Sequence, residues 1–134
     1  MADQSRSAKL GRLVKVQRHL EHMAENELAA TSRARAEIAD DLDAVVEAIG
    51  SVDSIHQRFA SIYSGQISRL TAKDQHLHTV QQVQEQKILR EKAKADRLAE
   101  RAVSAREEED NEAQERAIQE LLDIHFVLQG RSET

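Results

Sequence analysis

The sequence predicts an all-α protein in which two long helices form a single antiparallel coiled-coil hairpin across residues 1–134. The first observation is composition: charged residues make up 32% of the chain, aromatic residues 2%, and proline is absent. This profile is typical of coiled coils and long helices. The second is that apolar residues recur at steps of three or four along two extended segments. The third is a mid-chain glycine near two aromatic residues, which predicts a reversal between the segments.

The first helix is predicted over residues about 8–63. Its apolar residues follow one another at an average step of about 3.6, the period of a straight helix, so little supercoiling is expected. This first stripe runs from Leu10 through Leu13, Val16, Leu20, Ala24, Leu28, Thr31, Ala34, Ile38, Leu42, Val45, Ile49 and Val52.

Two glycines compete as the site of the reversal. Glycine within a helix costs about 1 kcal/mol relative to alanine, so both Gly50 and Gly65 weaken a helix. Phe59 and Ile62 continue the first stripe past Gly50. The stripe therefore favours a turn at residues about 64–73, and a turn at Gly50 stays the alternative.

The charges also favour the later glycine. When the chain folds back at Gly65, facing residues have numbers that add to about 130. Such a fold places Arg18 beside Glu112, and it places Asp43 beside Lys87. A reversal at the earlier glycine would instead bring basic segments together. In the favoured register Lys15 faces Glu115, Asp41 faces Arg90, Leu42 meets Ile88, Val52 meets Leu77, and Phe59 meets Leu70.

The second helix is predicted over residues about 74–129, with Gly130 ending it. Its stripe fades over the acidic stretch 107–115 and then returns. The members of this second stripe, including those that precede the predicted helix, are Ile67, Leu70, Leu77, Val80, Gln84, Ile88, Ala95, Leu98, Ala102, and then Ala117, Leu121, Ile124 and Leu128.

No pattern in the chain indicates catalysis or a cofactor. The four glycines are too scattered to form a phosphate loop, and no nucleophile elbow is present. Cysteine is absent, so no disulfide or cysteine–zinc site is expected. His19 and His22 could reach one metal ion from one helix face, but a third ligand is not evident. We therefore expect neither an enzyme nor a metal or cofactor site.

Charge and hydropathy limit the kinds of partner. No apolar run of about 18 residues is present, so no membrane-spanning helix is expected. The first residues lack the apolar core of a signal peptide, which favours a cytoplasmic protein. The net charge of −5 argues against a nucleic-acid partner. The basic residues between Arg6 and Arg18 keep open a membrane-surface or nucleic-acid alternative.

The apolar residues near the end of the chain exceed what a two-helix interface needs. Those between Leu121 and Leu128 cover more than one helix face. An exposed apolar cluster of this kind indicates a docking surface. The alternative is that the cluster packs against the first helix over residues 10–20.

The chain resembles the flagellar export FliJ family and its YscO-type counterparts in injectisomes in its overall length, its lack of cysteine, its mid-chain turn with aromatic residues, and three sequence segments. The three segments are the opening LGRLVKVQRHL at 10–20, the later REKAKADRL at 90–98, and QELLDI at 119–124. The resemblance implies a cytoplasmic stalk, peripheral to the inner membrane, that serves a type III protein export apparatus. The export ATPase and an export-gate membrane protein are the implied partners, and export chaperones are further candidates.

The resemblance implies that the two chain ends enter the ATPase ring and that the hinge end reaches the export gate. Apolar residues at the two ends are the predicted contacts. Those for the ring are Leu13, Leu121, Leu122 and Phe126, and those for the gate are Phe59, Tyr63 and Leu70. The alternative function is a coiled-coil scaffold or oligomerisation protein unrelated to secretion, and a homo-oligomer stays open.

Overall fold

A computed structural model of the chain describes residues 5–51 and 54–132. It contains two long helices, α1 (Arg6–Ile49) and α3 (Ala60–Ser132), and a short helix between them, α2 (Ser54–Arg58). The long helices pack against each other as a helical hairpin, so the predicted fold class is confirmed. None of the helices in the described ranges has an apolar stretch sufficient to cross a lipid bilayer.

The break between the long helices lies earlier than predicted. The turn predicted at 64–73 is wrong, because those residues belong to α3. The helix α1 ends before Gly50 and Ser51, two residues with low helix propensity. The chain enters α3 after Phe59, whose N–H donates to the carbonyl of His56 at 3.2 Å. Gly65 and Gly130 both lie inside α3, and Val52 lies outside the described residues.

The chain divides into two compact units. The terminal unit comprises Met1–Arg18 and Ala93–Thr134, and the central unit comprises His19–Lys92. In the terminal unit, an Arg18 guanidinium nitrogen lies 2.9 Å from an Asp96 carboxylate oxygen. The predicted partner of Arg18, Glu112, is therefore wrong.

The central unit shows the same shift of register. The Lys87 ammonium lies 3.5 Å from the Glu27 carboxylate, so the predicted pair with Asp43 is wrong. The residue numbers of the charged pairs Glu27–Lys87 and Arg35–Asp74 add to 114 and 109, against about 130 for a reversal at Gly65. Exposed ion pairs contribute only about 0.3–0.5 kcal/mol each, which is too little to select a register against the packing of two helices.

The contact positions of both helices repeat every 3.5 residues. Buried and half-buried residues follow one another at alternating steps of three and four, which is the heptad repeat of a coiled coil. We call these positions the seam. On α1 they are Ser7, Leu10, Val14, Gln17, Glu21, Ala24, Leu28, Thr31, Arg35, Ile38, Leu42, Val45 and Ala48, and on α3 they are Ala60, Tyr63, Ile67, Leu70, Asp74, Leu77, Gln81, Gln84, Ile88, Glu91, Ala95, Leu98, Ala102, Ala105 and Glu109.

The first stripe is confirmed only in part. Its members from Ala24 to Val45 are buried or half-buried, but Leu13, Val16, Leu20 and Ile49 are exposed. A stripe with a period of 3.6 drifts by about 20° per heptad from a repeat of 3.5, so a fit that holds in mid-helix fails several turns away. Leu10, where the predicted stripe begins, does lie on the seam, but the next seam positions are Val14 and Gln17.

The core along the seam is thin. Among the residues that the structure describes, the buried apolar ones are Ile38 and three alanines, Ala24, Ala95 and Ala105. Thr31 is also buried, and its hydroxyl donates to the Glu27 carbonyl of its own helix at 3.2 Å. Small side chains bring little apolar area out of water, so each large buried residue contributes a considerable share of the stability.

We predict that Ile38→Ala and Leu13→Ala differ clearly in their effect on stability. Ile38 is 4% exposed, and truncating a buried isoleucine should lower the free energy of unfolding by about 2 kcal/mol or more. Leu13 is 52% exposed, so its truncation should cost about 0.5 kcal/mol or less. Urea unfolding followed by circular dichroism measures both. Equal losses would contradict the seam described above.

Candidate functional site: the C-terminal segment of α3

The start of α1 is held by a carboxylate from α3. The Ser7 N–H donates to Glu109 Oε1 at 3.0 Å, and the Ser7 hydroxyl donates to Glu109 Oε2 at 2.5 Å. Ser5 caps the same helix end, since its Oγ accepts from the Ala8 N–H at 3.2 Å. A negative charge at a helix N-terminus is also favoured by the helix dipole. Glu109 therefore fixes where α1 begins beside α3.

The bonds from Ser7 also perturb the carboxylate. The hydrogen bond from the Ser7 hydroxyl, followed by that from the Ser7 N–H, holds the pKa of Glu109 below the ordinary value. Desolvation opposes this with a smaller effect. In the sequence, Glu109 reads only as an interruption of the apolar stripe. Its role depends on which residue of α1 lies opposite, and that follows from the register.

Beyond Glu109, α3 continues without cover from α1. All residues from 110 to 131 are exposed, and we call them the C-terminal segment. The described part of α1 starts at Arg6, next to the residue bound by Glu109. The alternative in which the apolar cluster packs against residues 10–20 is therefore wrong.

The C-terminal segment carries a dense set of apolar side chains. Leu121 is 67% exposed, Phe126 65% and Leu122 45%. Single exposed apolar residues are ordinary, whereas a cluster of this density marks an interaction surface. The exposed large apolar residues of the segment are Ile118, Leu121, Leu122, Ile124, Phe126, Val127 and Leu128.

The phase of these residues sets all but one of them apart from the seam. Continued past Glu109 at the same steps, the seam positions fall on the polar residues Glu112, Arg116, Gln119 and Asp123, and then on Phe126. The apolar residues at 117, 121, 124 and 128 keep steps of four, three and four but occupy a different side of the helix. Six of the seven large apolar residues of the segment thus lie off the seam positions, and Phe126 lies on them.

Of the residues predicted to contact an ATPase ring, all four are exposed. Leu13 lies on α1 in the terminal unit, and Leu121, Leu122 and Phe126 lie on the C-terminal segment of the same unit. The sequence indicated these residues because the chain has more apolar residues there than one interface between two helices needs. No contact tests their role, which stays a prediction.

The three residues predicted for the gate end do not form one surface. Phe59 is 45% exposed, whereas Tyr63 and Leu70 are half-buried seam residues. The predicted contact of Phe59 with Leu70 across a turn is wrong, because the turn that would separate them is part of α3. Tyr63 is engaged locally, with its hydroxyl 2.9 Å from His56 Nδ1. Leu70 lines a groove of about 380 Å³ together with Asp41, Ala44, Val45, Gln66 and Arg69.

A polar cluster interrupts the seam of the central unit. Arg35 donates to both carboxylate oxygens of Asp74, at 2.9 and 3.3 Å. It also donates to Gln81 Oε1 at 2.8 Å and contacts His78 Nδ1 at 3.1 Å. The hydrogen bonds from Arg35 lower the pKa of Asp74, and those bonds raise the pKa of Arg35. One arginine thus spans two turns of α3, an arrangement suited to fixing helix register.

Other sequence features converge on no site. Among the described residues, no three His, Asp or Glu side chains are grouped so that they could hold a metal ion. His22 lies 3.8 Å from Glu25 on its own helix. The C-terminal segment is the surface with the strongest claim to a function.

Comparison of the chain with protein-family models, curated proteins and solved structures found no match. The resemblance to the FliJ family therefore stays a prediction from the sequence. The geometry of the C-terminal segment is independent of that similarity.

We predict that Glu109→Gln weakens the hairpin at neutral pH and reduces its sensitivity to acid. A carboxylate whose folded pKa is depressed contributes its full stability above the unfolded pKa of about 4.3, and this contribution is lost as pH falls through the lower folded pKa. The glutamine has no charge to lose over that range. Thermal unfolding from neutral to acidic pH measures the difference, and amide exchange at Ser7 and Ala8 locates it.

Glu108→Gln is the matched control, one position away from the residue that binds Ser7. It should leave both the acid sensitivity and the exchange at the start of α1 close to those of the parent chain. An unchanged pH profile for Glu109→Gln would show that the Ser7 contact does not stabilise the hairpin.

Proposed function

We propose that this chain is a non-enzymatic helical adaptor that acts by docking its C-terminal segment on a protein partner. One observation carries the proposal: seven large apolar side chains between residues 118 and 128 are exposed on a helix that extends past its packing partner. Burial of a leucine or isoleucine contributes about 1.5–3 kcal/mol, so a partner that covers several of them gains substantial affinity. Helix-in-groove recognition uses apolar anchors at this spacing.

We further propose that the partner is the ring-forming ATPase of a type III protein export apparatus. The FliJ-like segments of the sequence point to this class of partner. The exposure of Leu13, Leu121, Leu122 and Phe126 within one compact unit supports it, because a ring contact made by both chain ends requires these residues on one unit. In this role the chain is a stalk that assists ring assembly and hydrolysis without catalysing either.

A second contact, around the break between α1 and α3, is part of the same proposal. Ile55, Phe59 and Ile62 are exposed around the break between α1 and α3. They are candidates to meet an export-gate membrane protein, together with the groove beside Leu70. The chain would then be cytoplasmic and associate with the inner membrane only through such partners, and export chaperones remain candidates for the same surfaces.

The second candidate function is a coiled-coil scaffold unrelated to secretion. Exposed apolar residues outside the C-terminal segment favour it, among them Val16, Val83 and Leu89. Such residues suit a larger helical assembly in which further helices cover the flanks of the hairpin.

The proposed ring contact predicts a specific loss of binding. The parent chain should co-sediment with the export ATPase of its own organism and raise its rate of ATP hydrolysis. The double variant Leu121→Glu, Phe126→Glu should bind at least about tenfold more weakly, since central apolar anchors commonly contribute about 2 kcal/mol or more to an interface.

Leu89→Glu is the matched control, because Leu89 is an equally apolar and exposed residue of α3 outside the segment. It should bind and activate like the parent chain. If the parent chain neither co-sediments with the ATPase nor changes its rate, the partner is wrong. If Leu89→Glu and the double variant are equally impaired, the docking site is wrong.

A further inference from the structure

We infer that two copies of this chain pair through their C-terminal segments in antiparallel orientation. The inference goes beyond the proposed partner and does not depend on it. It rests on the order of apolar residues in the segment, on its charges, and on the room that the register leaves around it.

The apolar spacing reads the same in both directions. Ala117, Leu121, Ile124 and Leu128 follow at steps of four, three and four, which is a stretch of heptad repeat. When a second copy runs antiparallel, Leu121 faces Ile124 of the second copy, and Ala117 faces its Leu128. Because the sequence of steps is symmetric, one alignment brings all four positions into contact at once.

The antiparallel order also makes the side-chain volumes of the four layers of facing residues more similar. Each end layer then combines an alanine with a leucine, and each central layer combines a leucine with an isoleucine. A parallel pair would place alanine against alanine in one layer and leucine against leucine in two others. Helix pairs pack best when small residues face large ones across the contact.

Charge distinguishes the two orientations as well. The segment holds acidic residues at Asp110, Glu112, Glu115, Glu120 and Asp123. A parallel pair sets each of these level with its own copy, which is unfavourable, whereas the antiparallel pair leaves only Asp123 level with its own copy. The antiparallel pair instead sets Glu115 beside residues 129–131 of the second copy, where Arg131 carries a positive charge.

The register of the hairpin leaves room for the second copy. In the antiparallel alignment, Arg131 lies opposite residue 114 of the second copy. That position is past Glu109, where the described part of α1 is attached through Ser7. The paired segments therefore overlap over the stretch of α3 that α1 does not cover, and neither α1 obstructs the other chain.

The pairing has a consequence for the proposed adaptor role. The second copy and the proposed partner would both cover Leu121, so the two contacts compete for that residue. Leu122 and Phe126 lie outside the four pairing positions.

Sedimentation equilibrium of the full chain across a concentration series tests the inference. We expect a dimer of about 30 kDa, twice the 15.1 kDa of the chain, that dissociates on dilution. Leu121→Glu should sediment at the monomer mass under the same conditions, whereas Leu89→Glu should remain dimeric. A parent chain at the monomer mass throughout, or a dimer that Leu121→Glu leaves intact, would overturn the inference.

Disulfide formation tests the orientation, and the chain has no cysteine of its own to interfere. Under mild oxidation, an equimolar mixture of Ala117→Cys and Leu128→Cys chains should form the mixed disulfide in preference to either homodimer. Ala117→Cys alone should stay reduced, since its copies would lie about 16 Å apart along the helix, at 1.5 Å per residue. A rapid disulfide between two Ala117→Cys chains would show a parallel pair and contradict the inference.

Discussion

The contact between α1 and α3 follows a 3.5-residue repeat whose buried positions are mostly small. Ala24, Ala95 and Ala105 are almost completely covered, and Ile38 is the large buried residue among them. A seam of this kind has little apolar area with which to set its register. Hydrogen bonds supplement this small apolar contact. Arg35 donates to Asp74 in the central unit, and Ser7 donates to Glu109 in the terminal unit. Directional bonds of this type favour one alignment of two helices over its neighbours.

The unpaired surface follows from that register together with the lengths of the helices. α1 has 44 residues and α3 has 73. Once Ser7 lies beside Glu109, the rest of α3 has no counterpart among the described residues of α1. Apolar residues between Ile118 and Leu128 would be costly to leave in water if the chain acted alone. This mismatch is the physical reason to look for function at the end of α3 and not in a pocket.

Much of the fold, and part of the site, could be predicted from the sequence. Apart from Val80, the second stripe from Ile67 to Ala102 lies on the seam as expected, and Leu121 and Phe126 are exposed as a docking surface requires. The position of the reversal could not be predicted, because a glycine inside a helix costs only about 1 kcal/mol and Gly65 is accommodated in α3. The surface charges were too weak a guide to register. The role of Glu109 was hidden for the same reason, since it depends on the residue that lies opposite.

The register is the claim on which the exposed segment depends, and distances between spin labels measure it most directly. Cysteines introduced at Glu37 and His76, or at Glu37 and Arg90, give two labelled chains within the central unit, diluted with unlabelled chain to suppress contacts between copies. The account predicts the shorter distance for Glu37 with His76, because Arg90 lies about 20 Å further along α3 at 1.5 Å per residue. A shorter distance for Glu37 with Arg90 would restore a reversal near Gly65 and contradict the account.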